Sequence, residues 1–161
     1  MERFTLSLQH FRTSDPPFRY IKTFGKDRQA LEGAYLPEAT FSCRFITDSP
    51  QPLPGSFVKC NTGILWGSSS IVQGLSSFSD KITFIPGAEF GLDVTIDILQ
   101  LPDKDYFAAI SFNTIIERVD VSVDMALLLR ENAMIPGKQD RPRVPLWTPF
   151  VAVSHQIILR S

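Results

Sequence analysis

Apolar residues recur along this chain with two different periods, and the change near residue 80 divides it. In the first half the spacing is mainly helical. Ser14-Asp15-Pro16-Pro17 opens a helix, because a capping side chain is followed by prolines whose fixed φ suits a first turn. Phe18 and Ile21 share one face of it, Tyr20 and Phe24 a neighbouring face, and Gly25 ends it. Asp27 starts a second helix, with Leu31, Ala34 and Tyr35 at i, i+3 and i+4 and a stop at Pro37. Thr40 to Ile46 is aromatic and β-branched and reads as a strand. Residues 48–56, DSPQPLPGS, hold three prolines and a glycine and read as a loop. Gly67-Ser68-Ser69-Ser70 caps a third helix, on which Ile71, Leu75 and Phe78 form a stripe at i, i+4 and i+7. Ahead of all these, Phe4, Leu6, Leu8 and His10 alternate with polar neighbours, a pattern that fits a short strand or a frayed helix.

From residue 81 onward the period is two. Leu92 to Leu101, Tyr106 to Val119, Val121 to Arg130 and Phe150 to Arg160 are strand candidates, with a turn at Pro102-Asp103-Lys104-Asp105 between the first two. Residues 131–149 carry four prolines and Gly137 and form the longest irregular segment of this half. Helices first and antiparallel strands afterwards predict an α+β domain, three helices packed on one face of a curved, mostly antiparallel sheet. Strand faces add a second expectation. Val94, Ile96 and Ile98 point one way, and Asp93, Thr95, Asp97 and Leu99 the other. In the next-to-last strand Val121, Val123, Met125, Leu127 and Leu129 form one row, while Ala126 and Leu128 are apolar on the opposite face. The last strand likewise has Val151, Val153, Ile157 and Leu159 on one face and Phe150, Ala152 and Ile158 on the other. Three helices cover one side of such a sheet, so the other side calls for a partner.

Composition narrows the class. The 161 residues fit a single domain, and a 43% apolar, 20% charged chain is not disordered. No apolar run approaches the ~20 residues of a membrane span, and Met1-Glu2-Arg3-Phe4 does not open a secretory signal. Sixteen basic against seventeen acidic residues argue against nucleic-acid binding as the main work of the chain, since counterion release needs clustered cations. Cys43 and Cys60 are too few for a disulfide scaffold or a four-cysteine zinc site, and read as buried thiols of a reducing compartment. Thirteen phenylalanines against three tyrosines point to aromatic mass for a core or an apolar interface.

Candidate chemistry is thin. His155 lies in an apolar row and reads as a core or interface histidine, while His10 sits in a poorly patterned terminus. Asp93, Asp97 and Asp124 lie on strands, with no histidine or tyrosine patterned toward them, so no catalytic residue and no metal site are assigned. Gly25-Lys26-Asp27-Arg28 lacks the spacing of a phosphate loop. Lys138, Arg141 and Arg143 in the proline-rich loop, with Asp140 among them, would add a few phosphate contacts to RNA and no sequence reading. No cofactor is expected.

The stretch DRQALEGAYLPEATFS, from Asp27 to Ser42, and the order of elements resemble the nuclear transport factor 2-like domain of the nuclear RNA export factor family, the messenger-RNA export receptors of fungi and animals. Gly67 to Leu75 (GSSSIVQGL), Val94 to Ile98 (VTIDI) and Val151 to Arg160 (VAVSHQIILR) are similar to the family's third helix, its "V-V-D-I" strand and its last strand. The likeness covers about residues 18–160 and leaves 1–17 as a poorly matched N-terminal extension of a single domain spanning 1–161, one domain of a larger receptor.

The resemblance implies a non-enzymatic module for nuclear export of messenger RNA, working in the nucleus and at the nuclear pore and shuttling to the cytoplasm. It implies a heterodimer with a small partner of the same fold, joined sheet to sheet, with Asp97 facing a basic residue of that partner among Thr95, Leu99 and Asp93. It further implies a shallow pocket for the phenylalanine of phenylalanine–glycine nucleoporin repeats, between the first helix and the loop before the last strand, walled by Ile21, Pro136, Trp147 and Pro149. The alternative is a homodimeric enzyme or small-ligand binder on the same fold, of the isomerase or dehydratase kind. A water-filled cone holding an ionisable group favours that alternative, and an apolar plug favours the module.

Overall fold

The computed structural model describes residues 4–5, 16–50, 54–84, 95–103, 105–131 and 150–161. Seven strands form one sheet among them: β1 (Phe4–Thr5), β2 (Tyr35–Ile46), β3 (Gly63–Trp66), β4 (Thr95–Gln100), β5 (Tyr106–Ile116), β6 (Val119–Glu131) and β7 (Phe150–Arg160). Their spatial order is β1-β4-β5-β6-β7-β2-β3. Every neighbouring pair is antiparallel except β2 and β7, which run parallel. Two α-helices, α1 (Pro16–Lys26) and α2 (Ser68–Ser76), and two 3-10 helices, Arg28–Ala34 and Gly55–Cys60, accompany it.

The core forms where the apolar rows of the strands meet the apolar helix faces. One row runs straight across the sheet by register: Ile96, Ile110, Met125, Ile157 and Cys43, all buried. Tyr20, Ile21 and Phe24 of α1 and Ile71, Val72 and Leu75 of α2 join the same cluster. Phe24 stacks on Phe84 at 4.5 Å between centroids, and Phe84 meets Phe112 edge-on, so among the described residues most phenylalanines are core.

Asp27 and Arg28 organise the helical side. The Asp27 carboxylate accepts from the backbone N–H of Gln29 and Ala30, capping the first 3-10 helix. Arg28 reaches across to the end of α2 and donates to the carbonyls of Leu75, Phe78, Ser79 and Ile82 at 3.3, 2.6, 2.9 and 2.7 Å. Its guanidinium also lies 4.7 Å from the centre of the Phe24 ring. Carbonyls at and beyond the C-terminal end of α2 are thus gathered by one planar fork of donors, those of Leu75 and Ser79 also accepting from the backbone N–H of Phe78 and Ile82.

The expected α+β class holds, with four local differences. The segment after Asp27 is a 3-10 helix, and the chain turns extended at Tyr35 instead of stopping at Pro37. Pro37 is accommodated in β2 because the register with β7 shifts between Tyr35 and Thr40, where a missing N–H breaks no ladder bond. Gly55–Cys60 is helical, beginning on the last two residues of the expected 48–56 loop, and β3 was not foreseen. Ala152 belongs to the core and not to the outer face, because a register shift beside Leu128 and Leu129 sets it opposite Leu129. Strand β7 matches its expected bounds, and β4, β5 and β6 lie within a few residues of theirs. Ser14, Asp15, Leu92 to Val94, Lys104 and 132–149 lie outside the described residues.

Candidate interaction surface

The outward face of the sheet is built by the residues between those of the core. Its first row, by register, is Leu99, Phe107, Leu128, Ser154, Thr40 and Trp66. The second is Asp97, Ala109, Ala126, Gln156, Ser42 and Ile64. The third is Thr95, Ser111, Asp124, Ile158 and Arg44. The middle of this face is low where Ala109 lies beside Ala126, and the exposed Gln156 stands between Ala126 and Ser42. Larger apolar groups flank it: Phe107 is 40% exposed, Ile64 67% and Trp66 69%. A shallow apolar floor with raised walls is a shape that accepts another protein surface.

Polar groups on the face are paired at one end and open at the other. Ser111 Oγ donates to Asp124 Oδ1 at 2.7 Å, and Arg160 makes an ion pair with the same carboxylate. Thr40 Oγ1 donates to Ser154 Oγ at 3.0 Å. Near the β4–β5 turn the Arg130 fork grips Asp105 at 3.1 and 3.0 Å and holds its carboxyl below the usual range. Asp97 is half-buried, in register between Thr5 and Ala109, and its carboxylate has no hydrogen bond or ion pair among the described residues.

The expected site residues therefore fall in three places. Asp97, Thr95 and Leu99 lie together on the outer face, Thr95 exposed and Leu99 half-buried opposite Phe107. Ile21 is 3% exposed and packed in the core. Asp93, Pro136, Lys138, Arg141, Arg143, Trp147 and Pro149 lie outside the described residues.

The cone's interior holds a polar chain that the sequence did not reveal. Tyr20 Oη lies 2.7 Å from Tyr35 Oη, which lies 2.9 Å from His155 Nδ1. All three side chains are buried, and the imidazole is walled by the rings of Tyr20, Tyr35 and Phe41. Burial pushes both phenols up and lowers His155 to about 3, so the ring is neutral at physiological pH. Its Nε2 is buried without a hydrogen-bond partner. The one legible clue was compositional: where phenylalanine is the rule, a retained hydroxyl marks a polar contact. Cys43 and Cys60 are free and buried, and burial pushes the Cys60 thiol up to about 11. Among the described residues no helix is long and apolar enough to cross a membrane, and no cluster of three histidine, cysteine, aspartate or glutamate residues could hold a metal.

Comparison with known proteins bears on the architecture. No family model and no curated protein sequence matches the chain. Among solved structures it is similar to the C. albicans Mtr2-Mex67 M domain complex, with a TM-score of 0.55 at 12% identity, covering 88% of this chain and 89% of the matched one. An NTF2-like protein of unknown function from Cytophaga hutchinsonii aligns over 89% of this chain and 95% of that one, at 8% identity and a TM-score of 0.40. The order of elements, the parallel β2–β7 pair within the sheet and the likeness to the first of these structures agree: the chain has an NTF2-like α+β fold.

Proposed function

We propose that this chain is a non-enzymatic transport-receptor module for nuclear export of messenger RNA, one domain of a larger receptor that works at the nuclear pore and shuttles to the cytoplasm. It pairs through its outer sheet face with a small protein of the same fold and carries a pocket for phenylalanine–glycine repeats. The observation that carries the reading is the outer face itself, a small-residue floor between Phe107 and Trp66 beside the unpaired carboxylate of Asp97. A cation from the partner would complete Asp97, and a second sheet would cover the floor. The structure it resembles is a complex of two proteins, which supports the same reading. RNA contact through Lys138, Arg141 and Arg143 is a secondary, weak contribution.

The test is co-expression with candidate small NTF2-like subunits, followed by co-purification. Wild type is expected to copurify in equal stoichiometry. Ala126→Arg, which places a long cation on the floor, is expected to abolish pairing, and Asp97→Ala to weaken it about tenfold or more. Trp147→Ala is expected to leave pairing intact while weakening a phenylalanine–glycine peptide about five- to thirtyfold. Pairing that survives Ala126→Arg would overturn the interface.

The Tyr20–Tyr35–His155 chain is the one observation favouring an enzyme or small-ligand binder. That reading requires a ligand to reach His155 Nε2, which is enclosed. A screen of small ketones and phenols by histidine chemical shift tests it, and a ligand-dependent shift at His155 would revive it.

A further inference from the structure

Strand β3 ends the sheet, and among the described residues it pairs with β2 alone. Its side chains alternate as a pleat requires. Leu65 turns inward against Gly74 of α2, while Ile64 and Trp66 stand on the outer face, about two-thirds exposed. The direction of its backbone groups follows from one hydrogen bond. Gly67 N–H donates to the Ala39 carbonyl at 2.8 Å, so alternation turns Leu65 and Gly63 toward β2 as well. The N–H and C=O of Ile64 and Trp66 then point away from the sheet, along its open edge. The strand has neither lysine nor proline, the residues that commonly blunt such an edge. Gly63 and Gly67, at φ 65° and 86°, bend the chain at its two ends and limit the edge to these four residues.

A cation marks one end. Arg44 is exposed on the outer face of β2, two residues beyond Ser42, the partner of Ile64, and it has no ion pair among the described residues. We propose that the β3 edge binds an extended peptide segment of another protein by strand addition, with apolar residues at alternate positions over Ile64 and Trp66 and an acidic residue at the Gly63 end, within reach of Arg44. Backbone hydrogen bonds along the edge give the affinity, and the Ile64–Trp66 pair and Arg44 set the register. A second copy of this chain fits less well, because Gly63-Ile64-Leu65-Trp66 offers no acid to Arg44. The site shares the Ile64 and Trp66 walls with the face proposed for sheet-to-sheet pairing, but its backbone edge lies beyond the floor around Ala109 and Ala126.

The probe is a dye-labelled Glu-Thr-Val-Thr-Val-Thr peptide, whose glutamate and valines share one face of an extended strand, titrated with the full 161-residue chain and followed by fluorescence anisotropy. Saturable binding is expected. Ile64→Pro removes one outward N–H and leaves the β2 ladder in place, so it is expected to weaken binding about tenfold. Trp66→Ala is expected to weaken it about fivefold. Replacing the peptide's Glu by Lys should cost several-fold, and Arg44→Glu should restore that peptide. Should Ile64→Pro fail to fold by thermal melt, a peptide methylated at its edge-facing amides asks the same question from the other side. No saturable binding, or equal affinity for the methylated peptide, overturns the proposal. A wild-type dimer by light scattering that Ile64→Pro dissolves and the peptide does not displace would overturn it in favour of a second copy.

Discussion

Arg28 shows how one side chain can fasten segments some fifty residues apart, since its partners on and after α2 lie 47 to 54 residues away in sequence. Arg28→Met is expected to take the described donor from the carbonyls of Phe78 and Ile82, while Leu75 and Ser79 keep a backbone one, and to lower the unfolding free energy by about 3 kcal/mol. Arg28→Lys should recover less than half, because an ammonium cannot span the same fork. Urea denaturation of the three proteins checks both. His155 gives the second expectation at this scale. Its folded form is held at about 3, whereas an unfolded histidine titrates near 6.5. Above pH 6.5 neither state takes a proton and the contribution to stability is complete. As pH falls below that value the unfolded chain binds a proton that the folded ring refuses, and stability drops by up to ~1.4 kcal/mol per pH unit until about pH 3. Between pH 7 and 5 wild type should lose about 2 kcal/mol by urea midpoint, and His155→Gln very little. Equal losses in both would mean that the proton is taken up elsewhere.

Elements carry strain of their own. The β5–β6 turn uses Glu117 and Arg118 with φ of 51° and 69°, a conformation that suits asparagine and glycine far better. Glu117 is held there by the Ser56 hydroxyl and by Lys81 at 2.9 Å, whereas Arg118 is exposed. Arg118→Gly is therefore expected to stabilise by about 0.5–1 kcal/mol, a rise of roughly 2–4 °C in Tm. Glu117→Gly should gain nothing, because it gives up both tethers. Strands were legible where a period of two runs long enough to be unambiguous, as in Phe150–Arg160. Strand β3 was not, since three residues between two glycines fit either period. The opening of β2 hid behind Leu31, Ala34 and Tyr35, whose helical spacing fits a 3-10 turn that ends one residue early. The outer face was half legible: alternation set Asp97, Thr95 and Leu99 outward, but only register shows Ala109 and Ala126 side by side. No local pattern could bring Tyr35 to His155, 120 residues away.

For the molecule as a whole, the same outer face predicts behaviour in the absence of a partner. Phe107, Ile64, Trp66 and Ile115 are exposed together with the alanine floor, so the isolated chain is expected to self-associate at micromolar concentration. Ala126→Arg should return it to a monomer by light scattering without lowering its Tm by more than a degree or two, because residue 126 is partly exposed and outside the core. A wild-type monomer that stays monodisperse would remove the need for a partner on that face.

The parallel pairing of β2 with β7 bears on how the protein is made. Strand β7 is the plank between β6 and β2, and Thr40 meets Ser154 across 114 residues of chain. Until residues 150–160 leave the ribosome, the β4–β5–β6 meander and the β2–β3 pair with α2 have no common strand. Each half then shows an open edge and an uncovered apolar row until that strand emerges, the state that chaperones capture. All three outer rows also pass through Ser154, Gln156 and Ile158, so no sheet partner can recognise the nascent chain before its final strand is in place. Assembly thereby waits for β7, and a ribosome that stalls before residue 150 releases two half-sheets and no docking face.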